Sequence, residues 1–410
     1  MAERVRYRRT DENHKIEYRT SRSKPGVAQA RKKLNLRLVI DEIDRPFFII
    51  VMVLLVFGIA MMFSASYVWG LHDFNDGYYY ARKQIFSAIA GLAIMFVVSF
   101  NDYHFFQNTK IAYLSFLVIY GLTFVTTFVG TSVAGARRWI VIGGFNFQPS
   151  ELLKVVYIII FAYIMSVNYP KFKDWRYSLL PFVTIMGMCF GVLVLQRHIS
   201  AVMIFGIIGI SLMFISGMPH KIFWSFVGAC AIGAALLLAF KMFTGGGFSY
   251  ISDRIRSWKD PKSDILNTTL QTYQGLLAIG SGGVFGLGFG ESRQKHLWLP
   301  ESQNDFVFAV ICEELGFVGA IVVILLFALF IFRGFYIAAK APDRFGMLLA
   351  AGITIQIGLQ ALLNIMVACN AFPNTGISLP FFSYGGTALL IQLAEVGILL
   401  SISRQGNTEE

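Results

Sequence analysis

The sequence predicts an all-α integral membrane protein with about ten transmembrane helices and one large extracellular loop. Of its 410 residues, 56% are hydrophobic and only 14% are charged, and the mean hydropathy is +0.61. A soluble chain carries roughly 25% charged residues, so this composition excludes an ordinary soluble protein. The run 202–214 is apolar on every side except at Ser211. Strands of a membrane β-barrel would alternate polar and apolar residues, so helices are favoured.

Ten apolar stretches are long enough, or nearly so, to cross a hydrocarbon core of about 30 Å, which takes roughly 20 helical residues. They are 46–67, 80–100, 109–130, 150–169, 178–196, 199–218, 220–243, 304–333, 345–370 and 385–403. Only Gln196-Arg197-His198 interrupts the fifth and sixth stretches, which predicts a tight turn between two helices. The membrane domain is therefore expected to cover 46–404, including a long loop at 244–303.

Residues 1–45 differ in kind, with 13 Lys/Arg against 7 Asp/Glu and no apolar run of span length before Pro46. We expect a disordered basic tail with a short interfacial helix near Leu36–Ile43. A cleavable signal peptide is not expected, because its apolar core should lie within about the first 30 residues. Nucleic acid could bind such a tail. Beside a first span, however, the positive-inside rule explains the charge better and makes the tail cytoplasmic.

Ten spans return the C-terminal segment 405–410 to the cytoplasm, and the short loops test this orientation. The predicted inside loops 170–177 and 334–344 are basic, whereas the predicted outside loops 68–79 and 371–384 contain no Lys or Arg. This pattern agrees with the positive-inside rule. A plasma membrane is the expected location, with both termini cytoplasmic.

One predicted outside loop, 131–149, departs from that rule because it contains Arg137 and Arg138. Two interpretations stay open: the guanidinium groups bind a phosphate ligand, or they anchor the loop at the interface beside Trp139. Glu151 and Lys154 follow at the start of the fourth span. Their i, i+3 spacing lets them pair on one helical face.

The eighth span begins with the sequence from Trp298 to Phe306, which includes Glu301, Gln303 and Asp305. A carboxylate near a helix N-terminus is stabilised in its ionised form by the helix dipole. Asp305 could therefore accept a proton as a general base. The alternative is that Asn304 or Asp305 merely caps the helix.

Other polar residues lie inside the spans or just before them. Glu313 and Glu314 lie about two turns into the eighth span, where buried carboxylates are costly. Gln360 and Asn364 lie one turn apart in the ninth span and could form hydrogen bonds between helices.

Two segments rich in glycine or proline lie in predicted outside loops. The run 274–292 is dense in glycine but has no βαβ context and no Walker A lysine, so we expect flexible backbone or a short half-inserted hairpin. The run Pro373–Gly386, which contains Ser383 and Tyr384, must be buried in protein or line a watery cavity.

In these clusters the sequence resembles the SEDS family of shape, elongation, division and sporulation proteins. The matching stretches read GARRWI…FQPSELLK at 135–154, LPESQNDFVFAVICEELGFVG at 299–319 and FPNTGISLPFFSYGG at 372–386. With the ten spans, the similarity covers roughly residues 40–405. The form QKHLWLPESQNDF is more similar to the division and sporulation branch, typified by FtsW and SpoVE, than to the RodA elongation branch.

The resemblance implies a glycosyltransferase that polymerises lipid II, the undecaprenyl-diphosphate-linked peptidoglycan precursor, outside the cell. It implies that Asp305 is the catalytic residue and that a class B penicillin-binding protein and other division proteins are partners. Inversion at the sugar is expected, with Asp305 as base. The residues expected to bind substrate are Arg137, Arg138, Glu151, Lys154, Trp298, Glu301, Gln303, Ser383 and Tyr384.

The chain departs from the family where many members have Pro-Asp-Leu-Gly between spans five and six. Here the sequence reads Gln196-Arg197-His198-Ile199-Ser200, so we assign this turn no catalytic role. No cofactor is expected from the sequence, which shows no ligand cluster, although a divalent cation (Mg²⁺ or Mn²⁺) could join Asp305 and the diphosphate. The alternative functions are a lipid II flippase and a non-enzymatic division scaffold.

Overall fold

The computed structural model describes residues 43–133, 136–142, 145–244, 249–267 and 269–408. The predicted basic tail and nearly all of the predicted interfacial helix lie outside these residues, as do the last two residues of the chain.

The described chain is predominantly helical, and its long helices coincide with the ten predicted spans. The bounds are α1 (Arg45–Phe74), α2 (Tyr79–Phe100), α3 (Thr109–Val129), α4 (Pro149–Asn168), α5 (Trp175–Ser178), α6 (Leu180–Leu195), α7 (Ile199–Ile215), α8 (His220–Thr244), α9 (Ser249–Lys259), α10 (Leu270–Ser281), α11 (Val307–Ala339), α12 (Arg344–Ala368) and α13 (Gly386–Thr408). Eight are long and apolar enough to cross a membrane, α7 is apolar but shorter, and α8 occupies the seventh predicted span. The predicted fold class is confirmed.

A small sheet replaces part of the loop expected between α3 and α4. Its antiparallel strands β1 (Thr131–Val133), β2 (Ala136–Ile142) and β3 (Phe145–Phe147) lie in sequence order. The segment is rich in β-branched and aromatic residues, which favour strands. The strands are too short to stand out from the sequence as elements of their own.

The helices α4 and α12 form the centre of the bundle. Inside the protein, 72% of the apolar window of α4 and 78% of that of α12 are buried, against 22% for the peripheral helix α3. Both central helices pack tightly against their neighbours. The Tyr157 hydroxyl of α4 donates a hydrogen bond to the Phe205 carbonyl of α7 (3.0 Å), and Gly352 of α12 lies against Ile158. Polar residues at one end of α4 and α12 are therefore held rigidly.

A break at Gly316 divides α11, which the sequence predicts as one continuous span. Gly316 has φ 68° and ψ −162°, which is outside the helical region. The segment 283–288 inserts at this break. The Leu287 and Gly288 amides donate to the Glu313 and Glu314 carbonyls, at 2.9 and 3.0 Å. The first part of the glycine-dense run, 274–281, belongs to α10, and its second part packs into the helix break; insertion of this run into the membrane stays a prediction.

Gly286 is required at this insertion, and Gly286→Ala is expected to destabilise the protein. Its φ is +80° and an added Cβ would overlap the Glu314 carbonyl. The left-handed strain alone costs on the order of 1–3 kcal/mol. The measurement is the melting temperature of the detergent-solubilised protein.

The matched control is Gly280→Ala in α10, where an added Cβ meets no atom within 4 Å. Because alanine favours a helix over glycine, this variant should melt at the wild-type temperature or slightly above it. Equal melting temperatures for the two variants would contradict the conclusion that glycine is required at position 286, where the segment packs into the helix break.

Candidate active site

A cavity of about 930 Å³ opens at one end of the bundle and is lined largely by polar side chains; we call it the polar cavity. All five predicted extracellular segments contribute to it. The contributing side chains include Trp69, Asp73, Trp139, Asn146, His198, Arg254, Glu301, Asn374 and Tyr384. The clusters that the sequence predicts on one face of the membrane therefore meet at one site.

Asp305 lines the polar cavity and stands two residues before α11. The preceding turn folds around the Glu301 carbonyl, which accepts the amides of Asn304 (3.0 Å), Asp305 (3.1 Å) and Phe306 (3.4 Å). Asp305 is half-buried, as expected for a carboxylate between protein and an open cavity.

The backbone of Asp305 is fixed by the side chain of Asn364 in α12. The Asn364 amide nitrogen donates to the Asp305 carbonyl and to the Ile377 carbonyl, each at 2.8 Å. Gly376 brings its backbone close to the carboxylate, since an added Cβ would lie 3.3 Å from Asp305 Oδ2. Asn364 therefore ties the Asp305 turn and the 373–386 segment to one central helix. The sequence analysis predicted that this residue forms hydrogen bonds to other segments.

Burial, followed by the nearby negative charge of Glu301, raises the pKa of Asp305 to about 6. Arg254 acts in the opposite direction and lowers it. The resulting pKa lies close to neutrality, where a carboxylate is both ionised at pH 7 and basic enough to take up a proton.

The helix-cap alternative for Asn304 and Asp305 is wrong. The N-cap residue of α11 is Phe306, and no side chain forms a cap hydrogen bond there. The Asn304 side chain instead donates to Glu301 Oε2 at 2.5 Å. The Asp305 carboxylate is thus available to the cavity rather than committed to the helix.

The predicted pair of Glu151 and Lys154 is confirmed, with a distance of 2.8 Å between Lys154 Nζ and Glu151 Oε2. Lys154 is buried, and both residues line the polar cavity. A buried ammonium needs such a partner because an unpaired buried charge is costly.

Arg137 and Arg138 do not line the polar cavity. Arg137 Nη1 donates to the Phe128 carbonyl at 2.7 Å. Arg138 Nε and Nη2 donate to the Gln196 and Arg197 carbonyls, at 3.3 and 2.6 Å. These contacts favour the anchor interpretation: the arginines fasten β2 to α3 and to the turn between α6 and α7.

The other predicted substrate-binding residues divide into two groups. Glu301, Gln303 and Tyr384 line the polar cavity beside Asp305, and Gln360 reaches it from α12. Trp298 and Ser383 do not: Trp298 is 63% exposed, and the Ser383 hydroxyl donates to the Asn304 carbonyl at 2.5 Å. Contact with substrate stays a prediction for the first group. Ser383 instead stabilises the turn that carries Asp305 through its hydrogen bond to Asn304.

Glu313 and Glu314 are both fully buried and hold the segment before the Asp305 turn. Glu313 accepts the Ser292 hydroxyl (2.5 Å) and the Arg293 amide (3.0 Å). Glu314 accepts the Ser64 hydroxyl (2.6 Å) and forms an ion pair with Lys295 (2.8 Å). Their role in the structure is to fix the inserted segment rather than to line the polar cavity.

Several residues of the cavity were missed by the sequence analysis, and two of them, Arg254 and His198, are basic or titratable groups that bear on its chemistry. Arg254 belongs to α9, whose amphipathic pattern within the long loop was the one signal that could have indicated it. His198 lies in the turn that we set aside. Arg254 donates a hydrogen bond to the Asn374 carbonyl, so α9 closes over the 373–386 segment.

A second contact supports this closure. Trp258 Nε1 donates to the Asn370 carbonyl at 3.0 Å, and the Asn370 amide returns a bond to the Trp258 carbonyl at 3.1 Å.

The fold and the site together define a polytopic helical membrane protein with a half-buried carboxylate in a polar cavity at the end of its bundle. The chain belongs to the family of cell cycle proteins that comprises FtsW, RodA and SpoVE, whose model matches residues 44–408. This confirms the resemblance drawn from the three motifs.

The relatives agree with the division and sporulation branch. The chain is 35% identical to a probable peptidoglycan glycosyltransferase FtsW of Geobacter sp. (strain M18), over 89% of this chain and 97% of that protein. It is also 35% identical to stage V sporulation protein E of Bacillus subtilis, over 87% and 95% respectively. In three dimensions it is similar to one chain of a solved peptidoglycan synthase complex, which is described as coordinating polymerization and crosslinking. The TM-score is 0.72 and the identity 26%, over 89% of this chain and 98% of that one.

Lys295→Met should strongly destabilise the protein, because it leaves Glu314 buried without its cation, at a cost of roughly 3–5 kcal/mol. The double variant Lys295→Met/Glu314→Gln removes both charges and should recover part of the loss. Melting temperatures measure both effects, with Lys262→Met, an exposed lysine of the same loop, as the control. A single variant as stable as the control would refute a structural role for the ion pair.

Proposed function

We propose that this protein is a peptidoglycan glycosyltransferase that polymerises lipid II into β-1,4 glycan strands, for cell division or sporulation. The observation that carries the proposal is the half-buried carboxylate of Asp305, with a pKa of about 6, facing the polar cavity. The names of its relatives support the reaction class.

In the proposed reaction Asp305 takes the proton of the acceptor's 4-hydroxyl while that oxygen attacks C1 of the donor sugar. The bond between C1 and the diphosphate oxygen breaks, and undecaprenyl diphosphate leaves with the electron pair. One direct displacement converts the α-linked sugar into a β-linked one, so inversion is expected. The half-buried position of Asp305 supports this role because desolvation raises the basicity of the carboxylate.

The departing diphosphate requires positive charge nearby. Lys154 and Arg254 line the polar cavity with Asp305 and are the residues that we propose for this task. They replace Arg137 and Arg138, whose guanidinium groups bind backbone carbonyls.

We further propose that the polar cavity faces the outside of a bacterial plasma membrane and that both termini are cytoplasmic. The basic loops 170–177 and 334–344, at the opposite end of the bundle, support this orientation. A class B penicillin-binding protein is the proposed partner, supported by the likeness to the synthase complex, and other division proteins are proposed on the family resemblance alone.

A divalent cation, Mg²⁺ or Mn²⁺, is a further proposal only. Asp305 and Glu301 could offer it oxygen ligands. In the part of the chain that the structure describes, however, no three His, Cys, Asp or Glu side chains form a group able to hold a metal. No step of the reaction is therefore assigned to a metal.

Asp305→Asn should abolish polymerisation because the amide cannot accept the hydroxyl proton. The measurement is gel analysis of glycan strands made from labelled lipid II by the purified protein with its penicillin-binding partner. A loss of at least about 100-fold in rate is expected, in line with the removal of a general base.

Asp260→Asn is the matched control, because Asp260 is an exposed aspartate of the same long loop. It should polymerise like the wild type. Glycan synthesis by Asp305→Asn at the control rate would show that Asp305 is not the base.

The acid limb of the pH–rate profile should report the pKa of Asp305, with the rate falling as the pH drops through about 6. Glu301→Gln removes a charge that raises this pKa, so its limb should move to lower pH. Arg254→Gln removes a cation that lowers it, so its limb should move to higher pH. Each shift should stay below about one pH unit, since exposed charges interact by roughly 0.2–1 kcal/mol. Shifts of the same sign in the two variants would be incompatible with this assignment.

A further inference from the structure

His198 lines the polar cavity from the turn between α6 and α7, and its role is not explained by the reaction described above. Its Nδ1 atom is shielded from solvent and has no hydrogen-bond partner among the described residues. The residue as a whole is partly exposed, but a shielded ring nitrogen without a partner loses its hydrogen bond to water and gains none in return. This arrangement is expected where a ligand supplies the missing partner.

The turn that carries His198 is firmly held. The His198 amide donates to the Leu193 carbonyl at 2.8 Å, and the Gln196 side chain donates to the Thr123 carbonyl at 2.9 Å. Arg138 binds the carbonyls of Gln196 and Arg197 from the other side. The backbone that carries the imidazole is thus fixed before any ligand arrives.

The surroundings of His198 attract anions. Burial, followed by the positive charges of Arg138 and Lys154, lowers the pKa of His198 to about 3. The ring is therefore neutral at pH 7 and keeps one N–H donor and one acceptor nitrogen. His198 is also the residue before the first turn of the 17-residue helix α7, where the helix dipole is positive. Glu151, which pairs with Lys154, is the acidic residue in the first turn of α4.

This corner lies in the same cavity as Asp305. Ser200, two residues after His198, donates a hydrogen bond to the Thr375 carbonyl. The next residue, Gly376, is the glycine that approaches the Asp305 carboxylate. A ligand that reaches from Asp305 along this wall therefore meets the imidazole and Lys154.

We propose that His198 donates a hydrogen bond to a phosphate oxygen of the lipid-linked diphosphate, in the corner of the polar cavity that it shares with Lys154 and that Arg138 supports from behind the turn. The proposal rests on the proposed function and adds a substrate-binding residue to it. A neutral donor there binds the diphosphate without adding a third buried charge to the site.

The test compares two constants for His198→Ala: the KM for lipid II and the inhibition constant of undecaprenyl diphosphate. The inhibitor carries the diphosphate but no sugar or peptide. Both constants should rise by about tenfold to a hundredfold, since a hydrogen bond to a charged group is lost. His198→Asn keeps an N–H donor and should recover part of the affinity. Melting temperatures of both variants check that each is folded.

The control is Arg197→Asn, because Arg197 is exposed and its hydrogen bonds in the turn come from its backbone: the amide donates to the Val194 carbonyl and the carbonyl accepts from Arg138. Its φ of 53° is one that asparagine tolerates, so both constants should match the wild type. A raised KM with an unchanged inhibition constant would place His198 against the sugar or peptide and overturn the proposal. Unchanged values of both constants would overturn it as well.

Direct binding separates this proposal from the proposed function. Fluorescent undecaprenyl diphosphate is titrated with wild-type protein and with His198→Ala in detergent micelles, and its anisotropy is followed. If the wild type makes no glycan but still binds the probe, and His198→Ala binds it at least tenfold more weakly, the diphosphate site stands while the polymerase assignment fails. Equal binding by the two proteins refutes the site.

Discussion

The hydrogen bonds of Asn364 are the interaction on which the site depends. One side-chain amide joins the Asp305 carbonyl and the Ile377 carbonyl to α12, the most buried of the candidate spans. Irregular backbone at the edge of a membrane needs such partners, because water is scarce there and unpaired carbonyls are costly. The backbone of Asp305 thereby gains a fixed position, although it belongs to a turn rather than to a helix.

The buried charges of α11 serve a different purpose from the charges of the cavity. Glu313 and Glu314 are fully buried and saturated by hydroxyl groups, amides and Lys295. Such a network is stable only when every member has a partner. It holds the inserted glycine segment against the helix break at Gly316, and this insertion in turn fixes the chain that leads into the Asp305 turn. Asp305 keeps its basicity because it stands outside the network.

Positive charge reaches the polar cavity from several separate elements. Lys154 comes from α4, Arg254 from α9 and Lys83 from α2, while Arg138 lies behind the turn of His198. Lys154 is tied to Glu151, so its charge is partly balanced in the folded protein. A distributed set of cations can meet a diphosphate at one end of a long lipid substrate without concentrating repulsive charge at one place.

The sequence by itself determined the membrane class, the ten helical segments and the place of Asp305 at the start of the eighth span. Apolar runs and local motifs depend only on neighbours along the chain, and the pairing of Glu151 with Lys154 follows from helical spacing. Tertiary structure decided what lies far apart in sequence: the break at Gly316, the small sheet, the partners of Glu313 and Glu314, and the presence of Arg254 and His198 in the cavity. It also removed Arg137 and Arg138 from the cavity, because their partners are backbone carbonyls of other segments. No motif encodes such partners; they arise only when the helices pack.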